Sequence, residues 1–430
     1  MFSSKLKLSV LSATVVMAAS ASFNTADATN GYFNNGYGAS SKGVAGAGVA
    51  LNLDALSAAT NPASMVHVGN RMDGELGFFM PDRKVDGDGT VNGTFESINK
   101  LFLIPQFGVN VMLDENSSIG FTMSGNGGMN TEYETNPFSG FGAGATTGIE
   151  ATNAPAGVDL AQALMGVTYS RKMGNQSFGI TPTLAAQRFK AYGLQGFEGI
   201  SSSPYRVHGN GYDYSVGYGL RAGYQAKVTD QLTLGAAAAS KMYMTRFQKY
   251  EGLFAEDGDF DIPANLTLGA AYKVPNSDVT VAFDWQYIMY GDVKSIANTG
   301  KDNFNQACVG ERQLGRADGC GFGWDDQHVF KLGVQYSGIE NLVLRAGASH
   351  NTQVYRDEES LFNILAPAVV RTHLSVGGTY SFSPAHSVNL SYTRSLSESQ
   401  TGGHPNQQAG KTTTHTMDQH DVVVGYAYKW

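Results

Sequence analysis

The stretch Val279-Thr280-Val281-Ala282-Phe283-Asp284-Trp285-Gln286-Tyr287 decides the fold class, because large apolar residues occupy its odd positions and small or polar residues its even positions. A period of two residues is typical of a β-strand whose two faces meet different environments. Residues 262–274 and 330–336 repeat the pattern. The sequence therefore predicts an all-β protein in which one face of each strand meets an apolar medium.

Segments of alternating polarity occur on both sides of this stretch, from Arg71 to the C-terminus. They predict fourteen strands near 73–83, 101–114, 118–134, 159–172, 177–190, 212–228, 231–248, 261–274, 279–292, 326–338, 341–350, 369–382, 387–397 and 418–430. Several residues of the last segment share one face and are large and apolar or aromatic: Val422, Val424, Tyr426, Tyr428 and Trp430. Pairing of this segment with the first strand would leave no free edge.

The connections between these segments alternate strictly between tight and long. Tight turns rich in Gly, Pro, Asn and Asp lie near 114–117, 173–176, 229–230, 275–278, 337–340 and 383–386. Long connections lie near 84–100, 135–158, 191–211, 249–260, 293–325, 351–368 and 398–417. Short turns on one rim and long loops on the other are the arrangement of a transmembrane antiparallel β-barrel in an outer membrane, with the short turns on the periplasmic side. A soluble β-sandwich has no reason to sort its connections by length.

Composition agrees with such a barrel. The chain has 53 Gly, 21 Tyr and 23 Phe but only 15% charged residues, as expected for strands with aromatic residues at the membrane interfaces. A mean hydropathy of −0.20 by itself suggests a soluble protein, but only every second residue of a barrel strand faces lipid. The net charge is −8 and no cluster of Lys and Arg stands out, so we expect no nucleic-acid partner.

The N-terminus predicts export. Lys5 and Lys7 precede an apolar run at 8–19, which is too short for a transmembrane helix of about 20 residues. No polar face interrupts the run, which argues against an amphipathic surface helix. Small-residue cleavage patterns end at Ala21 and at Ala28. We therefore predict a signal peptide at 1–28, cleaved after one of these two residues, and a location in the bacterial outer membrane.

The two cysteines, Cys308 and Cys320, lie in one polar stretch of a chain that would meet the oxidising periplasm. A disulfide closing this short loop would contribute roughly 3 kcal/mol in the chain-entropy model. A metal site is the alternative, but among other Cys and His residues only His328 is near. We favour the disulfide and predict no metal and no cofactor.

Residues 29–72 differ from the strands in being rich in Gly and Ala. Their glycines do not make a phosphate-binding loop, because no strand precedes them and no Lys-Ser/Thr pair follows. Small residues suit a compact segment inside a narrow lumen, where backbones approach closely. We therefore divide the chain into a signal peptide at 1–28, this segment at 29–72, and a barrel at 73–430.

Several motifs in the first quarter resemble the long-chain fatty acid and hydrocarbon transporters of the FadL/TodX type. They are Thr29-Asn30-Gly31-Tyr32-Phe33, Gly36-Tyr37-Gly38-Ala39, the run 43–48, Asn61-Pro62-Ala63 with Met65, Pro81-Asp82, and Ile104-Pro105-Gln106-Phe107-Gly108. The resemblance implies a fourteen-stranded barrel whose N-terminal segment forms a plug, or hatch, in the lumen. It also implies that Asn61, Pro62 and Ala63 belong to that plug. An Asn-Pro pair is a turn signal in any protein, so a purely structural turn is an equal interpretation.

A carrier of hydrophobic molecules needs apolar surface, and two long connections are unusually apolar. Phe138, Phe141, Leu361 and Phe362 are therefore candidates for capture of substrate, with packing between loops as the alternative. If the substrate is a fatty acid, its carboxylate needs an internal cation. Strand alternation places certain cationic residues in the lumen, although inward charges are normal in barrels: Arg221, Lys331, Arg345 and Arg371, together with His373.

Three functions remain open at this stage. The first is passive, plug-gated transport of small hydrophobic molecules; the second is a general diffusion porin; the third is an outer-membrane esterase or lipase. A porin does not need the segment 29–72, and no Gly-x-Ser-x-Gly motif supports an enzyme. We therefore predict a non-enzymatic, monomeric transporter. Its expected partners are a hydrophobic small molecule and the lipid and lipopolysaccharide of the outer membrane.

Overall fold

The computed structural model describes residues 30–141, 154–300, 308, 310–403 and 411–430. The predicted signal peptide at 1–28 lies outside the described residues. Within them the strands are β1 (Arg71–Asp88), β2 (Asn92–Glu96), β3 (Phe102–Asp114), β4 (Ser117–Tyr133), β5 (Ala156–Met173), β6 (Gln176–Tyr192), β7 (Asp213–Lys227), β8 (Leu232–Ala239), β9 (Tyr243–Met244), β10 (Asn265–Lys273), β11 (Val279–Ile288), β12 (Gln327–Ile339), β13 (Leu342–Asn351), β14 (Thr372–Ser381), β15 (His386–Gly402) and β16 (Thr413–Lys429).

Fourteen of these strands form a closed antiparallel wall, which confirms the predicted barrel. Each wall strand pairs with its neighbour along the chain, and β1 also pairs with β16, so the sheet closes on itself. Two short strands add to the wall without extending around it. β2 forms a hairpin with the upper end of β1, and β9 pairs with β7 beyond the end of β8.

The two faces of β11 show why alternation predicted the wall. Phe283 points outward and is 47% exposed, whereas Asp284 points inward and is fully buried. An outward residue of a barrel meets lipid, so exposed apolar side chains on this face are the expected state of a membrane protein. The same alternation of buried and exposed residues runs along β1, where Phe79 and Arg83 lie on the inward face.

Some strands differ in length from the prediction. β1, β15 and β16 extend past the predicted ends and remain paired up to Gly87, Gly402 and Thr413. Their upper parts carry polar residues on the outward face, although Val85 and Met417 are buried on the inward face, so the lipid-facing apolar pattern stops while the backbone ladder continues. The predicted strand at 231–248 is interrupted after Ala239, because the Ser240 hydroxyl accepts a hydrogen bond from the Leu220 N–H at 3.0 Å and replaces a regular ladder bond.

Helices are short and lie before β1 or in the long connections. The α-helices are Gly38–Gly43, Met65–Val68, Ala255–Gly258, Lys294–Ala297 and Ser360–Asn363. The 3₁₀ turns are Ala55–Ala59, Pro62–Ser64, Gln195–Ile200, Pro204–Arg206, Gln248–Tyr250, Tyr290–Asp292, Gly310–Arg312 and Asp357–Glu359. None of the helices in the described part of the chain has the length and apolarity to cross a membrane.

The largest apolar core lies beneath the long connections, above the wall. It contains Phe189, Phe197, Phe254, Tyr290 and Trp324, all at most 3% exposed. The tight turns at the opposite rim bury far less apolar surface, since each turn spans only a few residues. The predicted sorting of connections therefore corresponds to a thick layer of packed outer loops over one end of the barrel.

Candidate functional site

Residues 30–70 precede the wall and contact its inward face at many points. The Asp284 carboxylate of β11 accepts hydrogen bonds from the backbone N–H groups of Gly48 and Val49, at 2.8 and 2.9 Å. The side chain of Asn110 in β3 donates to the carbonyl oxygens of Met65 and Gly69, at 2.9 and 2.8 Å. Wall side chains thus satisfy backbone groups of a segment that has little regular structure of its own.

The Asn61-Pro62-Ala63 turn is the most tightly held part of this segment. The Asn61 amide donates to Val49 O at 2.7 Å and to Tyr224 O of β7 at 3.1 Å, and its oxygen accepts from Ala63 N at 3.0 Å. Glycines of β6 and β7, Gly179 and Gly223, let the turn approach, because a Cβ atom on either would overlap it. The turn is therefore a docking point between the segment and the wall, as well as a local turn.

Charged groups hold the same segment. Lys42 forms a buried ion pair with Asp421 of β16. Asp54 caps the turn Ala55–Ala59 by accepting from Leu56 N at 2.9 Å, and it lies near the ion pair of Arg71 with Asp73. Burial, with repulsion from the Asp73 carboxylate, raises the pKa of Asp54 to about 6.

The inward cations predicted to meet a substrate contact protein groups. Lys331 donates to Asn35 O at 3.2 Å, in the N-terminal segment. Arg345 donates to the side chains of Gln335 and Thr379 at 3.0 and 2.7 Å, and Arg371 to Glu398 at 2.8 Å. Arg221 is buried on β7. None of these four residues lines either of the two cavities found near the outer loops. Their role as substrate contacts stays a prediction.

An apolar cavity, here called the outer cavity, lies between the outer loops and the upper wall. It holds about 470 Å³ of space that protein atoms do not occupy, counting the part open to solvent. Its lining contains no charged residue and is mostly aliphatic and aromatic, including Met129, Phe189, Phe254, Leu314, Phe322 and Phe362. Such a lining suits an apolar molecule and offers nothing to a hydrated ion.

The predicted capture residues come together in one cluster. The ring of Phe197 lies 5.0 Å from that of Phe138, 6.0 Å from that of Phe141 and 5.4 Å from that of Phe362, measured between ring centroids. Leu361 is buried in the same apolar core. Of the four candidates only Phe362 lines the outer cavity. The capture role of Phe138, Phe141 and Leu361 stays a prediction beside their observed packing between loops.

The predicted disulfide is present: Cys308 and Cys320 are bonded, with Cα atoms 5.6 Å apart. Cys320 lines the outer cavity. Leu314, inside the disulfide loop, pairs with Ser201 in a bridge between two long connections. The disulfide therefore supports the roof of the outer cavity.

A second cavity, here called the inner cavity, adjoins the first and holds about 320 Å³, again counting the part open to solvent. Gly31 of the N-terminal segment lines it, together with Phe79, Arg83, Trp324 and residues 365–368. Met129 and Leu365 line both cavities. The two spaces thus follow each other from the outer loops to the start of the N-terminal segment.

Among the described residues that line the inner cavity, Arg83 is the one with a charge, and it did not figure among the residues predicted from sequence. It is 4% exposed, lies 5.6 Å from the Phe102 ring centroid, and donates to Asn99 O. Its Nε is buried and has no hydrogen-bond partner among the described residues. Strand alternation from Phe79 would have placed Arg83 inward, but no sequence signal distinguishes a paired inward cation from an unpaired one.

A closed fourteen-strand wall, an N-terminal segment bound to inward side chains of that wall, and apolar cavities under long loops are typical of an outer-membrane transport barrel. Residues 18–430 match the family model of the outer membrane protein transport protein (OMPP1/FadL/TodX), and the chain belongs to this family. The resemblance found in its first quarter is confirmed, and with it the outer-membrane location.

Solved structures agree with the fold. The toluene transporter TodX of Pseudomonas putida is 20% identical with a TM-score of 0.66, covering 94% of this chain and 100% of its own. A FadL homologue of Pseudomonas aeruginosa is 14% identical, with a TM-score of 0.68 and coverage of 93% and 99%. The toluene transporter TbuX of Ralstonia pickettii is 16% identical, with a TM-score of 0.62 and coverage of 92% and 99%. A search of the curated proteins finds no matching sequence.

Proposed function

We propose that this barrel carries apolar molecules that bear one carboxylate, such as fatty acids, across the outer membrane. Arg83 carries the proposal. Burying a guanidinium without a carboxylate beside it lowers the stability of the folded protein by on the order of several kcal/mol. The carboxylate of an apolar solute that reached the inner cavity would supply the missing counter-charge, since the planar guanidinium matches a carboxylate in shape.

In this proposal the solute first enters the outer cavity, among Phe362 and the neighbouring aromatic residues, and then reaches the inner cavity. The N-terminal segment closes the lumen below and acts as the plug, with Asn61-Pro62-Ala63 as its docking turn. A general diffusion porin has less support. Such a porin needs charged side chains along an open aqueous path, whereas Lys42, Asp284 and Asp421 are engaged in contacts of the N-terminal segment with the wall. Transport is passive, driven by the solute gradient.

Neutral hydrocarbons are the second candidate substrates. The uncharged lining of the outer cavity favours them, and two of the structural neighbours are toluene transporters. The two substrate classes differ in their need for Arg83. A carboxylate would use its charge, whereas toluene would gain nothing from it.

The test measures binding in the inner cavity. Trp324 lines that cavity, so the variant Trp285→Phe/Trp430→Phe leaves it as the single tryptophan and the reporter. Dodecanoate and dodecanol, which share an apolar chain, are titrated against this protein in nanodiscs. Arg83→Met should weaken dodecanoate binding by at least about tenfold, the usual effect of losing a charge-assisted hydrogen bond, and leave dodecanol binding unchanged.

Arg188→Met serves as the matched control, because Arg188 is a wall arginine of β6 that pairs with Asp159, lines neither cavity and is not among the predicted substrate contacts. Its dodecanoate affinity should equal that of the parent. Equal dodecanoate binding by the Arg83→Met protein would contradict the proposed role of Arg83 and favour neutral substrates. Failure of both probes and of toluene to bind the parent would contradict the whole proposal.

A further inference from the structure

We propose that the turn at Leu365 is an internal gate between the outer and inner cavities, and that Asn363 is its latch. The inference rests on the proposed function, because it concerns the path of an apolar solute through both cavities. It assigns the slow step of entry to a few residues of one outer connection, 357–368, and not to the N-terminal segment.

The position of Leu365 is the first observation. In the described part of the chain two residues line both cavities, Leu365 and Met129, so together they form the partition between them. Phe362 faces the outer cavity on one side of this turn, and residues 366–368 face the inner cavity on the other. Leu365 is 3% exposed and fills the space through which a solute would pass.

The second observation is how the turn is held. Asn363 is fully buried and makes three hydrogen bonds with its side chain. Its amide nitrogen donates to Phe322 O and to Glu359 O, both at 2.8 Å, and its oxygen accepts from the indole N–H of Trp324 at 2.7 Å. Phe322 lines the outer cavity and Trp324 the inner one, so a single amide joins the turn to the walls of both.

The opposite side of the turn is fastened to the barrel. Thr131 and Tyr133 of β4 point inward, and their hydroxyls donate to Leu365 O at 3.0 Å and to Ile364 O at 2.7 Å. The helix before the turn, Ser360–Asn363, has only four residues. The element is therefore held by side-chain hydrogen bonds and not by a strand ladder, and it can move without breaking the wall.

Passage from one cavity to the other requires the Leu365 side chain to leave the partition. Met129 can adapt because methionine is unbranched and flexible, whereas the branched leucine must move with its backbone. Movement of that backbone breaks the bonds of Asn363. The latch thus sets how often the partition opens, and the volume at position 365 sets how wide it opens.

The experiment measures uptake of radiolabelled dodecanoate and dodecanol by Gram-negative cells that lack their own channel for hydrophobic solutes and express each variant. Leu365→Ala should raise the initial uptake rate, and Leu365→Trp should lower it by about tenfold, because a gate residue controls a rate exponentially through its barrier. Leu194→Ala is the matched control, since it removes the same atoms from a fully buried leucine in another outer connection that lines neither cavity.

The latch is tested separately. Asn363→Ala removes all three bonds and should raise uptake. Trp324→Phe removes the indole donor and keeps a smaller aromatic ring, so it tests the latch if the alanine variant does not fold. Wild-type rates in folded Leu365→Ala and Leu365→Trp proteins would overturn the gate. Wild-type rates in folded Trp324→Phe would overturn the latch. Absence of uptake of either probe by the wild type would instead count against the proposed function.

Discussion

Replacing Asn61 with alanine should loosen the N-terminal segment from the wall while the barrel stays folded. The Asn61 side chain makes three hydrogen bonds in a fully buried position, to Val49, Ala63 and Tyr224. Only the bond to Tyr224 O joins the segment to the wall, so at about 1 kcal/mol for one hydrogen bond its loss weakens docking by about 1 kcal/mol, while loss of the other two loosens the turn itself. Val49 O keeps a partner, because Gln225 also donates to it at 3.0 Å, so the loss should not greatly exceed this value.

A change of about 1 kcal/mol raises the population of undocked segment roughly fivefold. Hydrogen exchange followed by mass spectrometry should show this as faster exchange in peptides covering 49–66, with unchanged exchange in β7. The double variant Asn61→Ala/Pro62→Ala should exchange faster still, since it also removes the restriction that Pro62 places on the backbone. Conductance of the purified channel should rise in parallel.

Asn298→Ala provides the control, because the Asn298 amide also donates to two carbonyl oxygens, those of Ala317 and Gly319, but lies in an outer connection. It should leave exchange of the segment unchanged. Unchanged exchange and conductance in Asn61→Ala would refute the docking role of the turn. Equal acceleration of exchange in β7 would also refute it, since the wall itself would then depend on Asn61.

Two further predictions concern the roof and the lumen. Cys308→Ser with Cys320→Ser should remove roughly 3 kcal/mol from the local stability of the outer loops, so limited proteolysis should cut them faster while the melting temperature of the barrel hardly changes. Burial raises the pKa of Asp54 to about 6, so the docked segment favours the protonated carboxyl. The contribution of Asp54 to docking should therefore be strongest below about pH 4 and weaken as pH rises through about 6. Asp54→Asn, which keeps the capping oxygen, should reduce the pH dependence of segment docking measured by hydrogen exchange; an unchanged pH dependence would exclude Asp54 as a source.

Two features of the sequence, strand alternation and the lengths of the connections, are enough to predict the barrel. Alternation in 279–287 assigns each residue of β11 to lipid or lumen, and the sorting of connections by length predicts both the strand count and the orientation. These are local properties, since the pleat of one strand sets the direction of its side chains whatever strand lies beside it. The same local logic placed Lys331, Arg345 and Asp284 inward, and proximity along the chain indicated the disulfide of Cys308 with Cys320.

Which inward charged groups already have a partner is seen only in the folded structure. Lys42 and Asp421 are 379 residues apart, and Lys331 meets Asn35 across a separation of 296 residues. Strand alternation predicts an inward position for both Arg83 and Lys331. In the structure Lys331 binds the N-terminal segment, whereas the Nε of Arg83 has no hydrogen-bond partner among the described residues and lies beside a cavity. The partition at Leu365 arises where distant loops meet. Pairing and cavities depend on which remote segments share the lumen, and a pattern read along one strand carries no information about that.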